Sequence, residues 1–190
     1  MIDYSINMGS IKPVEDVKLF TALLSRDERL FHIVQERLSS AFGSVDFVST
    51  VFSWTYSRYY EKEMGTDLKR IFLFFEKIIK PDTLPDIKIL TNVLETNCSN
   101  KTYSTIRGRP INIDPGYLTL SKVVLATTKD YSHRIYIGKG IYAEVTLYFM
   151  DKTFQPFPYT YPDYRSKEYI SMFNMMRGRM YKDLQTKRYE

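Results

Sequence analysis

Residues 107–149 read RGRPINIDPGYLTLSKVVLATTKDYSHRIYIGKGIYAEVTLYF, and how this stretch folds decides the architecture. Ile111 and Ile113 alternate with Asn112 and Asp114, the period of a half-buried strand over 110–114. Asp114-Pro115-Gly116 interrupts that strand. Proline lacks the N–H that a sheet ladder needs, and its fixed φ suits the first turn of a helix. Asp114 is a good N-cap because its carboxylate accepts from free N–H groups. These signals predict a helix over 117–127, with Leu120, Val123, Val124 and Thr127 near one face. The β-branched residues keep a buried strand open as the alternative there. Residues 133–137 and 141–149 both alternate, and Gly138-Lys139-Gly140 between them predicts a hairpin.

Upstream, residues 17–24 (VKLFTALL) are apolar enough for a central strand. Ser25 with Glu28 has the spacing of a capping box. The helix it opens carries Leu30, Phe31, Val34, Leu38 and Phe42 on one stripe, with Gly43 at its C-terminal cap. Residues 45–54 predict a second strand, running into the polar-aromatic TYSRYYEKEMG as a strand end and wide turn. Residues 69–79 (KRIFLFFEKII) predict a third strand. Thr83 with Asp86 repeats the capping pattern before a helix bearing Ile87, Leu90, Val93 and Leu94. A polar loop over 97–108 leads to the strand at Ile111. The order β-α-β-β-α-β is ferredoxin-like.

Downstream of the hairpin, QPFPYTYP (155–162) predicts a loop. A last helix starts near Asp163 or Ser166. Tyr169, Phe173, Met176, Met180 and Leu184 line one side of it, and Arg177, Arg179, Lys182 and Lys187 the other. The expected fold is α+β: a mixed or antiparallel sheet of about six strands, with an added helix, hairpin and C-terminal helix. The expected division is a tail over 1–16 and one domain over 17–190. Its ferredoxin-like part covers about 17–114 and an extension 115–190.

A chain of 190 residues buries a sizeable core without disulfide staples. Its single Cys98 cannot form an intramolecular disulfide, which points to a reducing compartment. No stretch of 18 apolar residues is present, and the N-terminus lacks the basic and apolar regions of a signal peptide. The expected location is therefore cytoplasmic, with no membrane partner. The net charge of +5 is uneven: residues 1–100 hold 12 Lys/Arg against 14 Asp/Glu, and residues 101–190 hold 15 against 8. A basic second half points to an anionic partner.

The runs INIDPGYLTLSK, SHRIYIGKGIYAEV and TYPDYRS resemble an uncharacterised prokaryotic domain-of-unknown-function family. The resemblance extends from the first strand to the last helix. Members of that family often carry a GTP-binding label, and the resemblance implies no established reaction. The chain has no G-x-x-x-x-G-K-[ST] phosphate loop: Gly138-Lys139-Gly140 follows a strand and precedes Ile141, not a helix. A dinucleotide-binding fingerprint and a G-x-S-x-G nucleophile elbow are also missing.

The strongest chemical signal is an anion site. Arg107, Arg109, Lys122, Lys129, His133, Arg134 and Lys139 cluster in sequence. Arginine can grip a phosphate with two bonds at once. The expected ligand is a phosphate-bearing small molecule or nucleotide. It would be held by Arg109, Lys122, Lys129 and Arg134 and oriented by Asn112 and Glu144, with Asp163 and Arg165 closing the pocket from the loop at 160–165. The rival is a metal-assisted enzyme using Asp114, His133 and Glu144, although no tight ligand spacing supports it. Glu144 lies in an apolar strand, and Arg134 across the hairpin is the natural ion-pair partner. A third reading is a nucleic-acid or protein adaptor on the basic second half. Tyr56, Tyr59 and Tyr60 beside Arg58 are its stacking candidates.

Overall fold

The computed structural model describes residues 12–57, 59–100 and 108–186. Among the described residues nine strands form one antiparallel sheet. They are β1 (Val17–Ser25), β2 (Val45–Val48), β3 (Phe52–Ser53), β4 (Lys69–Ile79), β5 (Asn112–Leu118), β6 (Lys122–Thr127), β7 (Ile135–Gly138), β8 (Ile141–Met150) and β9 (Thr153–Pro156). The helices are α1 (Arg29–Phe42), α2 (Glu61–Met64), α3 (Leu84–Asn100) and α4 (Lys167–Thr186). The strand order is β2-β4-β1-β5-β6-β8-β7, with β3 on β4 and β9 on β8.

β1 is at the centre of the first half because it is buried along its whole length and apolar on both faces. Leu19 and Leu23 pack with Ile71, Leu73 and Phe75 of β4 against α1 and α3. Phe20 and Ala22 pack with Phe72 and Phe74 against α4 and β9. This two-sided core is what the period-2 alternation dictates. Phe173 of α4 lies within 5.2–6.5 Å of the rings of Phe20, Phe72, Phe74, Phe154 and Tyr164. Its full burial contributes about 3 kcal/mol before packing gains.

The stretch 117–127 is not a helix. It forms the end of β5, a tight turn, and β6. Thr119 makes the turn: its Oγ1 accepts from the Ser121 and Lys122 amides. β5 runs through Pro115 instead of stopping there, and residues 114 and 115 both lie inside it. Pro115 pairs with Thr21 on the β1 side, whereas the ladder to β6 begins only at Gly116. A proline is tolerated where one side of a strand is unpaired. Gly116 is needed for close approach: a Cβ there would lie 2.4 Å from the Val124 carbonyl oxygen and 2.7 Å from the Phe20 ring.

Other expectations also change. The sheet has nine strands, not six. The strand expected over 45–54 is broken into β2 and β3, and α2 replaces the wide turn before Gly65. Ser25 does not cap α1; its hydroxyl donates to the Pro110 carbonyl, tying β1 to the start of β5. Asp27 instead accepts from the Arg29 amide. Thr83 ends a 3₁₀ turn (Pro81–Thr83), and its hydroxyl donates to the Lys80 carbonyl. The 155–162 segment begins inside β9, and α4 follows a separate 3₁₀ turn at Asp163–Arg165. The β7–β8 hairpin is as expected, with positive φ at Lys139 and Gly140 as a two-residue turn requires. Leu184 of the α4 stripe is only half-buried. Arg107, Arg58 and Lys187 lie outside the described residues.

Candidate functional site

Strand parity builds the site. Arg70 shares a face of β4 with Phe72 and Phe74, so it points away from α1. Register places Leu24 between Arg70 and Asn112, and Ala22 beside Asp114. The small Ala22 side chain leaves room for the Arg70 guanidinium to reach across β1.

Arg70 is 3 % exposed. Its Nη1 lies 3.4 Å from Asp163 and its Nη2 3.9 Å from Asp114. The guanidinium also sits 4.5 Å from the centre of the Trp54 ring. Asp114 is held further by Lys88 at 3.5 Å and by the Asn112 amide. Lys88 in turn donates to the Ile113 carbonyl at 3.1 Å. Arg109 bridges Asn112 and Glu95, and Glu95 accepts from the Ile113 amide at 2.7 Å. One continuous polar network therefore joins α3, β4, β5 and the Asp163 turn.

The two carboxylates beside Arg70 titrate in opposite directions. Burial pushes both up. At Asp114 the charges of Lys88 and Arg70, with the Asn112 hydrogen bond, outweigh burial and hold the acid below its ordinary 3.8. At Asp163 burial wins over Arg70 and the acid is raised. A depressed carboxylate contributes stability that is present above its unfolded value and lost as pH falls through the folded one. Asp114→Asn is therefore expected to destabilise by about 2 kcal/mol at neutral pH, since a desolvated pair loses its anion. The gap to the parent should close below pH 3.8, where the parent carboxylate also protonates. Urea titrations at several pH values measure it; a gap independent of pH would contradict the assignment.

These residues line a cavity of about 690 Å³. Its polar wall carries Arg70, Lys88, Arg109 and Lys129 opposite Glu63, Asp114, Glu144 and Asp163. Its aromatic wall is Trp54, Tyr56, Tyr59, Tyr60 and Tyr161. Burial raises the Tyr60 and Tyr161 hydroxyls, so both are neutral hydrogen-bonding groups at physiological pH. Lys129 reaches over the Tyr59 ring, at 4.9 Å from its centre, and bonds the Tyr59 hydroxyl at 2.6 Å. Among the described residues Lys129 makes no ion pair with a carboxylate. Every other cation of the wall does.

Of the residues singled out from the sequence, Arg109, Asn112, Asp114, Lys129, Glu144 and Asp163 line this cavity. Arg134 and His133 stand behind it. Arg134 donates to Glu144 at 2.8 Å, to the Lys129 carbonyl at 3.0 Å and to the Tyr161 hydroxyl at 2.7 Å. His133 contacts Glu144 at 3.2 Å and stacks on Tyr159 at 4.2 Å. Arg134 thus makes the expected ion pair with Glu144, and each of its three side-chain nitrogens already donates to a protein acceptor. Lys122 opens β6 opposite Tyr148 and Arg165 bonds the Thr160 and Pro158 carbonyls; neither lines the cavity. Among the described residues no three His, Cys, Asp or Glu side chains converge as a metal site.

Arg70, Lys88 and Trp54 do not stand out from the sequence as site residues. The signal for Arg70 is its parity: a cation in step with Phe72 and Phe74 on an apolar strand must face a buried partner. Tyr56, Tyr59 and Tyr60 line the cavity. Cys98 is buried in the core between α3 and α1, and no described helix is long and apolar enough to cross a membrane. No curated protein and no solved structure matches the chain. The family model for a domain of unknown function, DUF4416, matches residues 15–180, and the chain belongs to that family.

Proposed function

We propose that the cavity binds a phosphate-bearing small molecule, specifically a nucleotide. The carrying observation is one cavity whose aromatic wall accompanies a cation that, among the described residues, has no carboxylate partner, Lys129. Flat rings stack favourably on tyrosine and tryptophan, and an ammonium attracts phosphate as a point charge. The remaining cations are already balanced by Asp114, Asp163 and Glu95. The wall as a whole is therefore near neutral, and Lys129 supplies the phosphate contact. This narrows the anion site from four basic residues of the second half to one, with Arg109 adjoining. Asn112 and Glu144 orient the ligand through the cavity wall they line.

The strand order β2-β4-β1-β5, with α1 and α3 sharing one core, supports reading residues 17–114 as ferredoxin-like. In that reading the β6–β8 strands extend the sheet and bring Lys129 and Glu144 to the same cavity.

Calorimetric titration of the full chain with nucleoside monophosphates tests the proposal. Binding is expected to weaken as salt rises. Lys129→Ala is expected to lower affinity about tenfold, the worth of one charge-assisted contact, with the melting temperature of the free protein unchanged. Equal affinity in the variant would remove Lys129 from the site. The enzyme reading with Asp114, His133 and Glu144 requires a divalent metal to raise the melting temperature; the adaptor reading requires salt-sensitive RNA binding that survives Lys129→Ala.

A further inference from the structure

The cavity sits where two neighbouring strands part. β5 and β6 pair only at Gly116↔Leu125, Tyr117↔Val124 and Leu118↔Val123. Beyond that point Asn112 and Asp114 of β5, and Ala126 and Thr127 of β6, line the cavity. The β5 side of the gap is closed. Ile113 donates its N–H to Glu95 and accepts at its C=O from Lys88, so two side chains of α3 stand in for a missing strand. The β6 side is open. The Val124 carbonyl points at β5, where a Cβ on Gly116 would lie 2.4 Å from its oxygen. Strand groups two residues apart point the same way, so the Ala126 carbonyl also faces the gap. The residue across from it in this register is Pro115, which can accept from the Ala126 amide but has no N–H to return. The Ala126 methyl packs with Leu84, Val124 and Ile141, which leaves its main chain to line the cavity. Two residues on, the exposed Thr128 also lines the cavity, and its backbone N–H has no hydrogen-bond partner among the described residues. β6 thus offers an acceptor and then a donor, and an unpaired strand edge takes up partners of the opposite pattern.

We propose that the main chain of Ala126 and Thr128 reads the ring of the bound nucleotide, and that this ring is adenine. The inference rests on the nucleotide reading of the cavity. The Ala126 carbonyl accepts from the ring amine, and the Thr128 N–H donates to the adjacent ring nitrogen N1. Chain direction fixes the order. Lys129 follows Thr128 directly, so a phosphate held by Lys129 turns the sugar side of the ring toward Thr128. In adenine the amine lies beyond N1 from the sugar side, as the strand requires. Guanine placed the same way sets oxygen against the Ala126 oxygen and N–H against the Thr128 N–H. Cytosine has the adenine order on a single ring, which leaves part of the aromatic wall uncovered. A volume of about 690 Å³ with Trp54 and four tyrosines along it suits the two fused rings of a purine.

The test is calorimetric titration of the full chain with adenosine monophosphate and two analogues that add no bulk. Purine riboside monophosphate lacks the amine, and 1-deazaadenosine monophosphate has C–H in place of N1. Each analogue is expected to bind about tenfold more weakly, the effect of leaving one polar group of the wall unpaired. Guanosine monophosphate is expected to bind at least about tenfold more weakly, and cytidine monophosphate more weakly than adenosine monophosphate. Thr128→Pro removes the N–H without breaking a hydrogen bond among the described residues. On that variant adenosine monophosphate and its 1-deaza analogue are expected to bind equally, because the donor that told them apart is gone. Thr128→Ala keeps the N–H and is expected to leave affinity unchanged. Equal binding of adenosine monophosphate and both analogues to the parent protein would overturn main-chain reading of the ring while leaving the nucleotide site standing. So would tighter binding of guanosine monophosphate, or a preference over the 1-deaza analogue that survives Thr128→Pro. Absence of binding by every nucleoside monophosphate would overturn the nucleotide reading and the inference with it.

Discussion

Arg70→Met is expected to destabilise the protein by about 3–5 kcal/mol, the cost of removing one partner from a buried ion pair. For a chain of this size that lowers the melting temperature by roughly 10 °C. The methionine keeps most of the side-chain volume, so the loss reports charge and not a cavity. Two carboxylates, Asp114 and Asp163, would face each other without the cation between them. The deficit has a pH signature. Burial raises Asp163 even with Arg70 present, and loss of the guanidinium raises it further. An acid with a raised folded value gains stability as pH falls through that value, so the variant recovers on acidification. The parent meanwhile loses the Asp114 anion, which Lys88 and Arg70 hold below its ordinary value. The gap should therefore narrow from both sides, as denaturant titrations at neutral and acid pH would show. A variant as stable as the parent at neutral pH would mean that Arg70 does not organise this wall.

Gly116→Ala separates two readings of the decisive stretch. If Gly116 opened a helix over 117–127, alanine would stabilise it by about 1 kcal/mol. In the sheet the added Cβ meets the Val124 carbonyl oxygen at 2.4 Å and the Phe20 ring at 2.7 Å. The first contact is with backbone, which cannot swing aside as a side chain can. β5 and β6 would have to part at Gly116↔Leu125, where their pairing begins. The expected result is a loss of about 3 kcal/mol, the upper range for overpacking a core. Because β6 carries the chain toward Lys129, nucleotide affinity should fall together with stability. A stabilised variant would restore the helix.

Much of the fold is legible in the sequence because apolar runs and alternation are explicit. VKLFTALL, KRIFLFFEKII and the hairpin around Gly138-Lys139-Gly140 each specify both element and facing. The Asp-Pro-Gly triplet misleads because its residues serve two purposes. Pro115 and Gly116 suit a helix start in isolation. In the sheet, Pro115 lies where the β6 ladder has not yet begun, and Gly116 lets two strands close over Phe20. That information is tertiary, as is the pairing of β5 with β1.

The site divides in the same way. Asn112, Asp114, Glu144 and Asp163 are visible because polar residues interrupt apolar strands or begin a turn. The clustering of basic residues in the second half conceals what each one does. Arg134 neutralises Glu144, Arg165 clasps its own loop, and Lys122 lies at the far end of β6. Arg70 and Lys88 come from the acidic first half, where a count of charge gives no reason to look. The register Arg70-Leu24-Asn112 brings the halves together.

Trp54 is the single tryptophan of the chain and lines the cavity beside Arg70, so its fluorescence reports directly on occupancy. Titrating adenosine monophosphate into the full chain is expected to change Trp54 emission along a saturating curve. Lys129→Ala should shift that curve to about tenfold higher concentration without altering the free spectrum. Emission that stays constant across the titration, with no calorimetric heat, would contradict a nucleotide site in this cavity.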